Sequence, residues 1–336
     1  MKHRPLGRTG IQVSEICLGT MTFGHQCDEA TSFAILDRAA KAGVDFLDTA
    51  DVYPIPMTLE NVGRTEEILG RWLAGRRERF VVATKCFFPS GPDPCDRGNS
   101  RRHVLASIEA SLRRLRTDYI DLFQVHAFDP DVPVAETLGA LDEARRAGKI
   151  RHAGCSNHLG WELAKSELAA QALGVEGYVC TQPRYNVLYR EMETDLVPLC
   201  RERGIGIIVF NPLAGGLLTG KHAADVAPDP KGRFGDFLGT SAVTYRARYW
   251  REEMLEAVAA LKGFFEARDQ SLTTAAVAWV LAQPGITSAI VGASAPAQLE
   301  ATLAAGETAL DAEAAAVLDE VWYRLPRQRM TAGPVR

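Results

Sequence analysis

The sequence predicts an α/β fold, a closed (β/α)8 TIM barrel with an N-terminal β-hairpin and extra C-terminal helices. Eight short, almost wholly apolar segments alternate with segments of helical periodicity along the 336 residues. Strands that are apolar on both faces and separated by helices indicate a parallel sheet. Eight such units favour a closed barrel over an open sheet. Because no linker composition interrupts the series, residues 1–336 are expected to form a single barrel domain.

The first half of the chain begins with the predicted hairpin, whose turn is Arg8-Thr9-Gly10. Strands are then predicted at 15–19, 44–48, 80–85 and 119–126, where apolar runs are bounded by turn residues. Helices are predicted at 28–43, 65–73, 100–114 and 133–147. Asp28 and Ser100 suit the N-cap position, and Pro133 suits a first helical turn.

The second half of the chain continues the alternation of strands and helices and adds further helices. Strands are predicted at 150–156, 178–182, 205–210 and 289–292. Helices are predicted to begin at 160 and 296 and to cover 193–203, 252–268, 271–282 and 311–324. The segment 212–245 is predicted to be a long loop, and loops of that length in a compact chain are usually functional. The tail beyond Pro326 is expected to be loose.

Composition argues against several classes of protein. Of the residues, 46% are hydrophobic and 24% are charged, with a net charge of −4, and no basic patch with interleaved aromatics suggests nucleic acid. The start lacks a secretory h-region, and no apolar run has the length of a bilayer span. The seven cysteines are widely spaced without a C-x-x-C pair, which favours a reduced cytoplasmic protein without disulfides.

Polar residues stand at the predicted ends of successive strands. In a (β/α)8 barrel these ends meet at one mouth, where the chemistry lies. Each residue alone fits an ordinary role, such as a solvated strand end or a loop cap. Their convergence on one mouth makes a functional site the better explanation. The residues are Asp48, Lys85, His126, Ser156, Asn157, Gln182, Phe210 and Asn211.

Tyr53 follows the second strand and completes a set of groups suited to proton transfer. A free tyrosine has a pKa of about 10 and is a poor acid at neutral pH. A lysine ammonium beside the phenol is expected to lower that pKa, and a carboxylate can hold the lysine. A histidine can polarise a carbonyl oxygen. Such a centre suits carbonyl reduction, which also needs a hydride source, because no side chain supplies hydride.

Five motifs in this order resemble the aldo-keto reductase family, from about Leu6 to about Leu303. They are Asp48-Thr49-Ala50-x-x-Tyr53, Ala83-Thr84-Lys85, Gln124-Val125-His126, Gly154-x-Ser156-Asn157 and the run from Asn211 to Lys221. The resemblance implies a (β/α)8 barrel that reduces a small carbonyl substrate with NADPH, with NADH as the other possible cofactor. It implies that Tyr53 is the general acid, that Lys85 and Asp48 tune it, and that His126 orients the substrate.

The resemblance also implies a cofactor that lies extended over the barrel mouth. A Rossmann site is not favoured, because Gly204–Val209 fails G-x-G-x-x-G and precedes a strand. Phe210 equally fits a core aromatic, and Arg233 also fits a solvated loop charge. The implied cofactor-binding residues are Thr20, Met21, Asp48, Ser156, Asn157, Gln182, Phe210, Asn211, Pro212, Leu213, Gly215, Lys221, Arg233, Gly292, Ser294 and Gln298.

The substrate pocket is expected to include Phe23, Phe88 and Phe128 beside Met21. The family often has tryptophan directly after the histidine of strand four, whereas this chain has Ala127, which suggests a more open pocket. The family also often has Glu-Asn where this chain has Ala301-Thr302. Because 292–302 has no Lys or Arg to meet a 2′-phosphate, the expectation of NADPH rests on family habit.

The sequence leaves two alternative functions to consider. A regulatory subunit that binds cofactor with little turnover is possible, because channel β-subunits resemble the same family and retain the four catalytic residues. A metal-dependent barrel hydrolase is not favoured, because it would need paired histidines near the first strand and 15–20 contains none. No metal is expected, and the sequence does not indicate an oligomeric state.

Overall fold

Eight parallel strands close into a barrel in the computed structural model of the chain, which describes residues 1–327. The barrel strands are β3 (Ile16–Gly19), β4 (Phe46–Asp48), β5 (Val81–Cys86), β6 (Ile120–Val125), β7 (Ile150–Ser156), β8 (Cys180–Gln182), β9 (Gly206–Val209) and β10 (Ile286–Gly292). Closure is made by β10, which pairs with β9 on one side and with β3 on the other. The predicted (β/α)8 barrel is confirmed.

The predicted N-terminal hairpin is also confirmed, and it closes one end of the barrel. It consists of β1 (His3–Pro5) and β2 (Gln12–Ser14), paired antiparallel. Leu6 and Val13 pack in one cluster with the side chains that fill the barrel interior, including Phe46. The hairpin therefore covers the end where the strands begin, and the opposite end remains for a site.

Eleven α-helices lie among the described residues, and nine of them precede β10 in the chain. They are α1 (Glu29–Lys41), α2 (Arg64–Leu73), α3 (Arg101–Leu115), α4 (Val134–Arg146), α5 (Gly160–Leu173), α6 (Leu196–Arg203), α7 (Thr240–Tyr249), α8 (Glu252–Glu266), α9 (Leu272–Ala282), α10 (Leu299–Ala304) and α11 (Ala312–Arg324). The side chain of Asp28 caps α1 and that of Ser100 caps α3, as their sequence positions predicted.

The prediction of a long loop at 212–245 is wrong in part, because α7 begins at Thr240 within this segment. Aromatic side chains fold this segment back on itself: the ring of Phe234 lies 5.0 Å from that of Trp250 and 5.2 Å from that of His222. Such packing joins residues distant in sequence, so local periodicity does not indicate it. The loose tail predicted beyond Pro326 falls mainly on 328–336, outside the described residues.

Two further element boundaries differ from prediction. A 3-10 turn, Glu191–Glu193, precedes α6, so the helix begins later than expected. A 3-10 turn at Pro296–Gln298 likewise precedes α10. Within residues 1–327, no helix combines the length and hydropathy that a bilayer crossing requires. All seven cysteines are unpaired.

A buried ion pair ties α2 and α3 to the strand that bears Lys85. The Glu66 carboxylate is fully buried, and it accepts hydrogen bonds from Arg114 Nε at 2.7 Å and from Thr84 Oγ1 at 2.6 Å. A buried carboxylate without its cation is strongly unfavourable.

We therefore expect Arg114→Met to lower the free energy of unfolding by about 3 kcal/mol, because it leaves the Glu66 carboxylate buried and unpaired. Urea unfolding of the variant and the wild type measures this difference. Arg113→Met removes the same charge from the exposed neighbouring position and serves as the control. Equal losses in the two variants would contradict the assignment.

Candidate active site

The centre of the barrel mouth is an ion pair between the last residue of β4 and the fifth residue of β5. Lys85 Nζ lies 2.5 Å from Asp48 Oδ1, and Lys85 also donates to the carbonyl of Thr49 at 2.8 Å. The Lys85 side chain is fully buried. Burying an ammonium is costly unless it is paired and hydrogen-bonded, and both conditions hold here.

The second oxygen of Asp48 is held by amide side chains from two other strands. Gln182 Nε2 donates to Asp48 Oδ2 at 2.8 Å, and Gln124 Nε2 donates at 3.3 Å. Both Asp48 oxygens are therefore engaged inside the barrel. The carboxylate is fixed in one orientation, and the lysine is fixed with it.

Tyr53 and His126 stand next to this ion pair. The loop that bears Tyr53 is anchored where the Asp51 N–H donates to the Lys85 carbonyl at 3.0 Å. Lys85 Nζ lies 5.3 Å from the Tyr53 ring centroid. The His126 ring lies 5.9 Å from that of Tyr53 at 77°, and the Phe88 ring lies 5.0 Å from that of His126. A phenol, an imidazole and an apolar ring thus surround one small space.

The direction of the Tyr53 pKa is opposite to the expected one. Burial raises the pKa of the phenol well above its usual value, and the charge of Asp48 raises it further, whereas Arg233 acts against the rise. The Lys85 ammonium is held by Asp48 and Thr49, so its charge is already compensated. Tyr53 therefore remains a protonated phenol at neutral pH.

His126 is a neutral imidazole. Burial lowers its pKa well below the usual value, and the Lys85 ammonium lowers it further. Its Nδ1 is buried without a hydrogen-bond partner in the described part of the chain. A neutral ring with one free nitrogen retains hydrogen-bonding capacity for a bound molecule.

Polar side chains from β7, β8 and the end of β9 form one wall of the mouth. Ser156 Oγ donates to the Gln182 carbonyl at 2.8 Å, and Asn157 Nδ2 donates to the His126 carbonyl at 2.9 Å. Asn157 and Asn211 both adopt a φ of 56°, which asparagine tolerates better than most residues. Asn211 Nδ2 is buried without a partner among residues 1–327. An amide-bearing group would satisfy these donors and acceptors.

A cavity of about 230 Å³ lies between these groups. Of the predicted site residues, those that line it are Thr20, Met21, Asp48, Tyr53, Phe88, His126, Ser156, Asn157, Gln182, Phe210, Asn211, Arg233 and Gly292. Sequence reasoning missed nine others, which are Gly19, Thr22, Ile290, Ile55, Met57, Ser241, Thr244, Tyr245 and Arg248. The last four belong to α7 or its first turn, the helix that was predicted as loop.

Several predicted residues lie elsewhere. Phe23, expected in the substrate pocket, is fully buried in the hydrophobic core. Phe128, also expected there, packs against the rings of His158 at 5.5 Å and Trp161 at 5.6 Å. An aromatic residue in a loop after a strand can turn toward the helices instead of the mouth, and sequence does not indicate which. These two assignments to the cavity wall are therefore wrong.

The remaining predicted site residues lie outside the cavity lining. Lys85 sits beneath it, bound to Asp48. Ser294 and Gln298 bond to each other, with the Ser294 N–H donating to Gln298 Oε1 at 2.8 Å. Pro212, Leu213, Gly215 and Lys221 belong to the segment between β9 and α7.

Glycines in that segment allow α7 to lie close above it. Gly215 has a φ of 71° and Gly216 a φ of 100°, conformations that other residues rarely adopt. A Cβ at Gly215 would lie 2.9 Å from a ring atom of Tyr245. Since Tyr245 lines the cavity, the glycine helps to place this wall.

Comparison with known proteins agrees with this geometry. A sequence profile of the Aldo/keto reductase family matches residues 15–323. The chain is 37% identical over 330 residues to "Uncharacterized oxidoreductase YrpG" of Bacillus subtilis, covering 96% of each chain. It is 35% identical over 322 residues to "Aflatoxin B1 aldehyde reductase member 2" of Homo sapiens, covering 91% of this chain and 86% of that one. It is 33% identical over 310 residues to "Probable voltage-gated potassium channel subunit beta" of Arabidopsis thaliana, covering 91% of both.

A barrel with a buried Asp–Lys pair, a tyrosine and a histidine at its mouth defines an oxidoreductase-type site. With the profile match over most of its length, the chain belongs to the aldo-keto reductase family. Members of this family use nicotinamide cofactors, usually NADPH, and act on small carbonyl substrates.

His158, next to the site, yields a prediction about stability. Its Nδ1–H donates to the Ser156 carbonyl at 2.9 Å, and burial lowers its pKa to about 4. The histidine of the unfolded chain has the higher pKa, about 6.5. Once the pH falls below this unfolded pKa, the unfolded state binds more protons than the folded state, so the free energy of unfolding decreases.

We expect this residue to contribute a loss of about 2 kcal/mol in the free energy of unfolding between pH 7 and pH 5. His158→Gln keeps a hydrogen-bond donor but does not titrate, so its stability should fall less over this interval. Urea unfolding at both pH values measures the two losses. Parallel losses in wild type and variant would contradict the buried, neutral state of His158.

Proposed function

We propose that this protein reduces an aldehyde or ketone to an alcohol with a nicotinamide cofactor. The carbonyl carbon receives a hydride and the carbonyl oxygen receives a proton from Tyr53, so that carbonyl, NADPH and one proton give alcohol and NADP⁺. When bound, the nicotinamide supplies the hydride that no side chain can supply. The observation on which this rests is that Tyr53, His126 and Asp48 line one cavity above a fully buried lysine.

The proposed division of roles follows from protonation states. Tyr53 has a raised pKa and therefore holds its proton until negative charge develops on a neighbouring oxygen. The neutral His126 can donate a hydrogen bond to that oxygen without a competing charge. The Asp48–Lys85 pair keeps a cation near the phenolate that forms once the proton has left.

The wall formed by Ser156, Asn157 and Gln182 fits the carboxamide of a nicotinamide, because it offers both donors and acceptors. The unpartnered Asn211 Nδ2 supports the same assignment. Phe210 lines the cavity beside these groups and is placed to stack on a ring. Arg233 also lines the cavity and is the cation we assign to a cofactor phosphate.

The apolar side chains that line the cavity suit the body of a small carbonyl compound. Ile55, Met57 and Phe88 contribute apolar surface next to Tyr53 and His126. We further propose that the whole activity resides in this one barrel domain. We also propose that the protein acts in the cytoplasm, which its seven unpaired cysteines support.

The alternative is a regulatory subunit that binds cofactor with little turnover. It is favoured by the 33% identity to a protein named as a probable potassium channel subunit beta. The two functions are separated by measuring NADPH and NADH oxidation against a panel of aromatic and aliphatic aldehydes, ketones and quinones. Carbonyl-dependent turnover supports the reductase. Cofactor binding without turnover on any member supports the regulatory subunit.

We expect Tyr53→Phe to lower the rate of carbonyl reduction by about a thousandfold or more, because it removes the acidic hydroxyl but keeps the ring. The dissociation constant of NADPH, measured by quenching of protein fluorescence, should stay near the wild-type value. Tyr245→Phe removes a hydroxyl from the same cavity and is the matched control. A Tyr53→Phe protein that reduces carbonyls at the wild-type rate would refute the assigned role.

We expect Arg233→Gln to raise the dissociation constant of NADPH by about tenfold while changing that of NADH little, because a 2′-phosphate needs charge-assisted contacts. The same fluorescence titration with each cofactor gives both values. Lys231→Gln, at an exposed position two residues away, is the control. Equal weakening for both cofactors would show that Arg233 does not meet the 2′-phosphate.

A further inference from the structure

The cavity that contains Tyr53 opens to solvent where its lining residues are exposed. Most of the lining is buried or half-buried, and its exposed members are Met57, Thr244 and Gly292. Gly292 ends β10 and was assigned to the cofactor from the sequence. Met57 lies in the loop after β4, four residues beyond Tyr53, and Thr244 lies on α7. A substrate bound beside Tyr53 can therefore extend out of the cavity between Met57 and Thr244.

The loop that bears Met57 forms a fixed edge of this opening. The Ile55 N–H donates to the Met21 carbonyl at 3.4 Å. Pro56 restricts the backbone of Ile55 as well as its own. A Cβ placed on Gly239, the residue before α7, would lie 4.0 Å from the Cβ of Pro56, so the start of α7 packs against the loop. An edge held in this way before a ligand arrives lowers the entropy lost on binding.

This loop is apolar both inside the cavity and outside it. Ile55 and Met57 line the cavity, and Met57 is also 42% exposed. Leu59, two residues further on, is 54% exposed, and no charged residue occurs from 52 to 59. Single apolar residues on a surface need no explanation, but Met57 continues the lining of a cavity to the outside. Its flexible thioether side chain adapts to apolar partners of irregular shape.

The side of the opening formed by α7 presents hydroxyl groups. Ser241 and Thr244 line the cavity there. Arg248 lines it one helical turn further along α7, and it also lines the neighbouring cavity that includes Asn157, a residue of the wall that we assign to the nicotinamide. Arg233 is the cation that we assign to a cofactor phosphate. Apolar contact for a ligand at this opening therefore comes from the loop after β4.

We propose that Ile55 and Met57 bind an unbranched apolar chain attached to the reacting carbonyl group. The proposal rests on the proposed function, and it specifies the substrate class as aldehydes with an alkyl chain long enough to leave the cavity past Met57. The carbonyl group lies beside Tyr53 and His126, and the chain follows the apolar loop outward. A methylene group fully removed from water strengthens binding by about fourfold, so chain length determines which aldehydes bind well.

The test uses the straight-chain alkanals from propanal to nonanal. Wild type and Met57→Gln are assayed for kcat and KM with NADPH, and the dissociation constant of NADPH is measured for each. The glutamine keeps the length of the side chain and removes its apolar character, whereas Met57→Leu keeps that character. Leu168→Gln makes the matched change on α5, at a residue that is 64% exposed and outside the cavity lining. Melting temperatures confirm that each variant is folded.

Once the chain reaches Met57, we expect kcat/KM of the wild type to rise by about two- to fourfold for each added methylene. Met57→Gln should flatten this rise through KM, with propanal and the NADPH dissociation constant unchanged. Met57→Leu and Leu168→Gln should keep the rise. No rise in the wild type, or an equal rise in Met57→Gln, would overturn the proposal. So would a preference for 2,3-dihydroxypropanal over every alkanal, which would indicate a hydroxylated substrate.

A binding measurement separates this proposal from the proposed function. Straight-chain alkanamides of the same lengths carry a carbonyl group that NADPH does not reduce, so calorimetric titration with them needs no turnover. Binding that tightens with chain length in the wild type but not in Met57→Gln supports the apolar subsite, even if no aldehyde is reduced. Binding that does not depend on chain length overturns the subsite, even if propanal is reduced well.

Discussion

The buried ion pair between Lys85 and Asp48 is the interaction on which the rest of the site depends. An ammonium without solvent contact is tolerated only with complete hydrogen bonding, and removal of one partner of such a pair costs about 3–5 kcal/mol. The pair involves four strands of the barrel, since Gln124 of β6 and Gln182 of β8 also donate hydrogen bonds to Asp48. Their register is therefore fixed: Asp48 lies opposite Ala83, and Lys85 lies opposite Gln124. A slip of one residue would turn these side chains out of the barrel.

The same pair determines the charges that a substrate meets. Burial and the charge of Asp48 raise the pKa of Tyr53, so the phenol keeps its proton. Burial and the Lys85 ammonium lower the pKa of His126, so the imidazole stays neutral. The mouth thus presents a phenol and an imidazole, both able to donate hydrogen bonds, next to a wall of amide and hydroxyl groups. Among residues 1–327, the cationic side chains that line the cavity are Arg233 and Arg248.

Sequence indicated the parts of the molecule that depend on local pattern and on strand ends. Apolar runs located all eight barrel strands. The strand ends, together with the family resemblance, located more than half of the residues that line the cavity. Three features could not be predicted from the sequence. The fold of α7 depends on ring contacts between distant residues such as His222 and Trp250. The orientation of Phe23 and Phe128 depends on loop conformation. The Tyr53 pKa depends on burial, which a list of neighbouring charges does not reveal.

We propose that a hydride passes directly from the nicotinamide to the carbonyl carbon of a substrate bound beside Tyr53. The most direct test uses NADPH labelled with deuterium at C4, prepared as each of the two stereoisomers, with an aldehyde that the protein turns over. We predict that one isomer, and not the other, gives alcohol with deuterium on the carbinol carbon in ordinary water. Alcohol without deuterium from both isomers, or no alcohol from any carbonyl tested, would contradict this account.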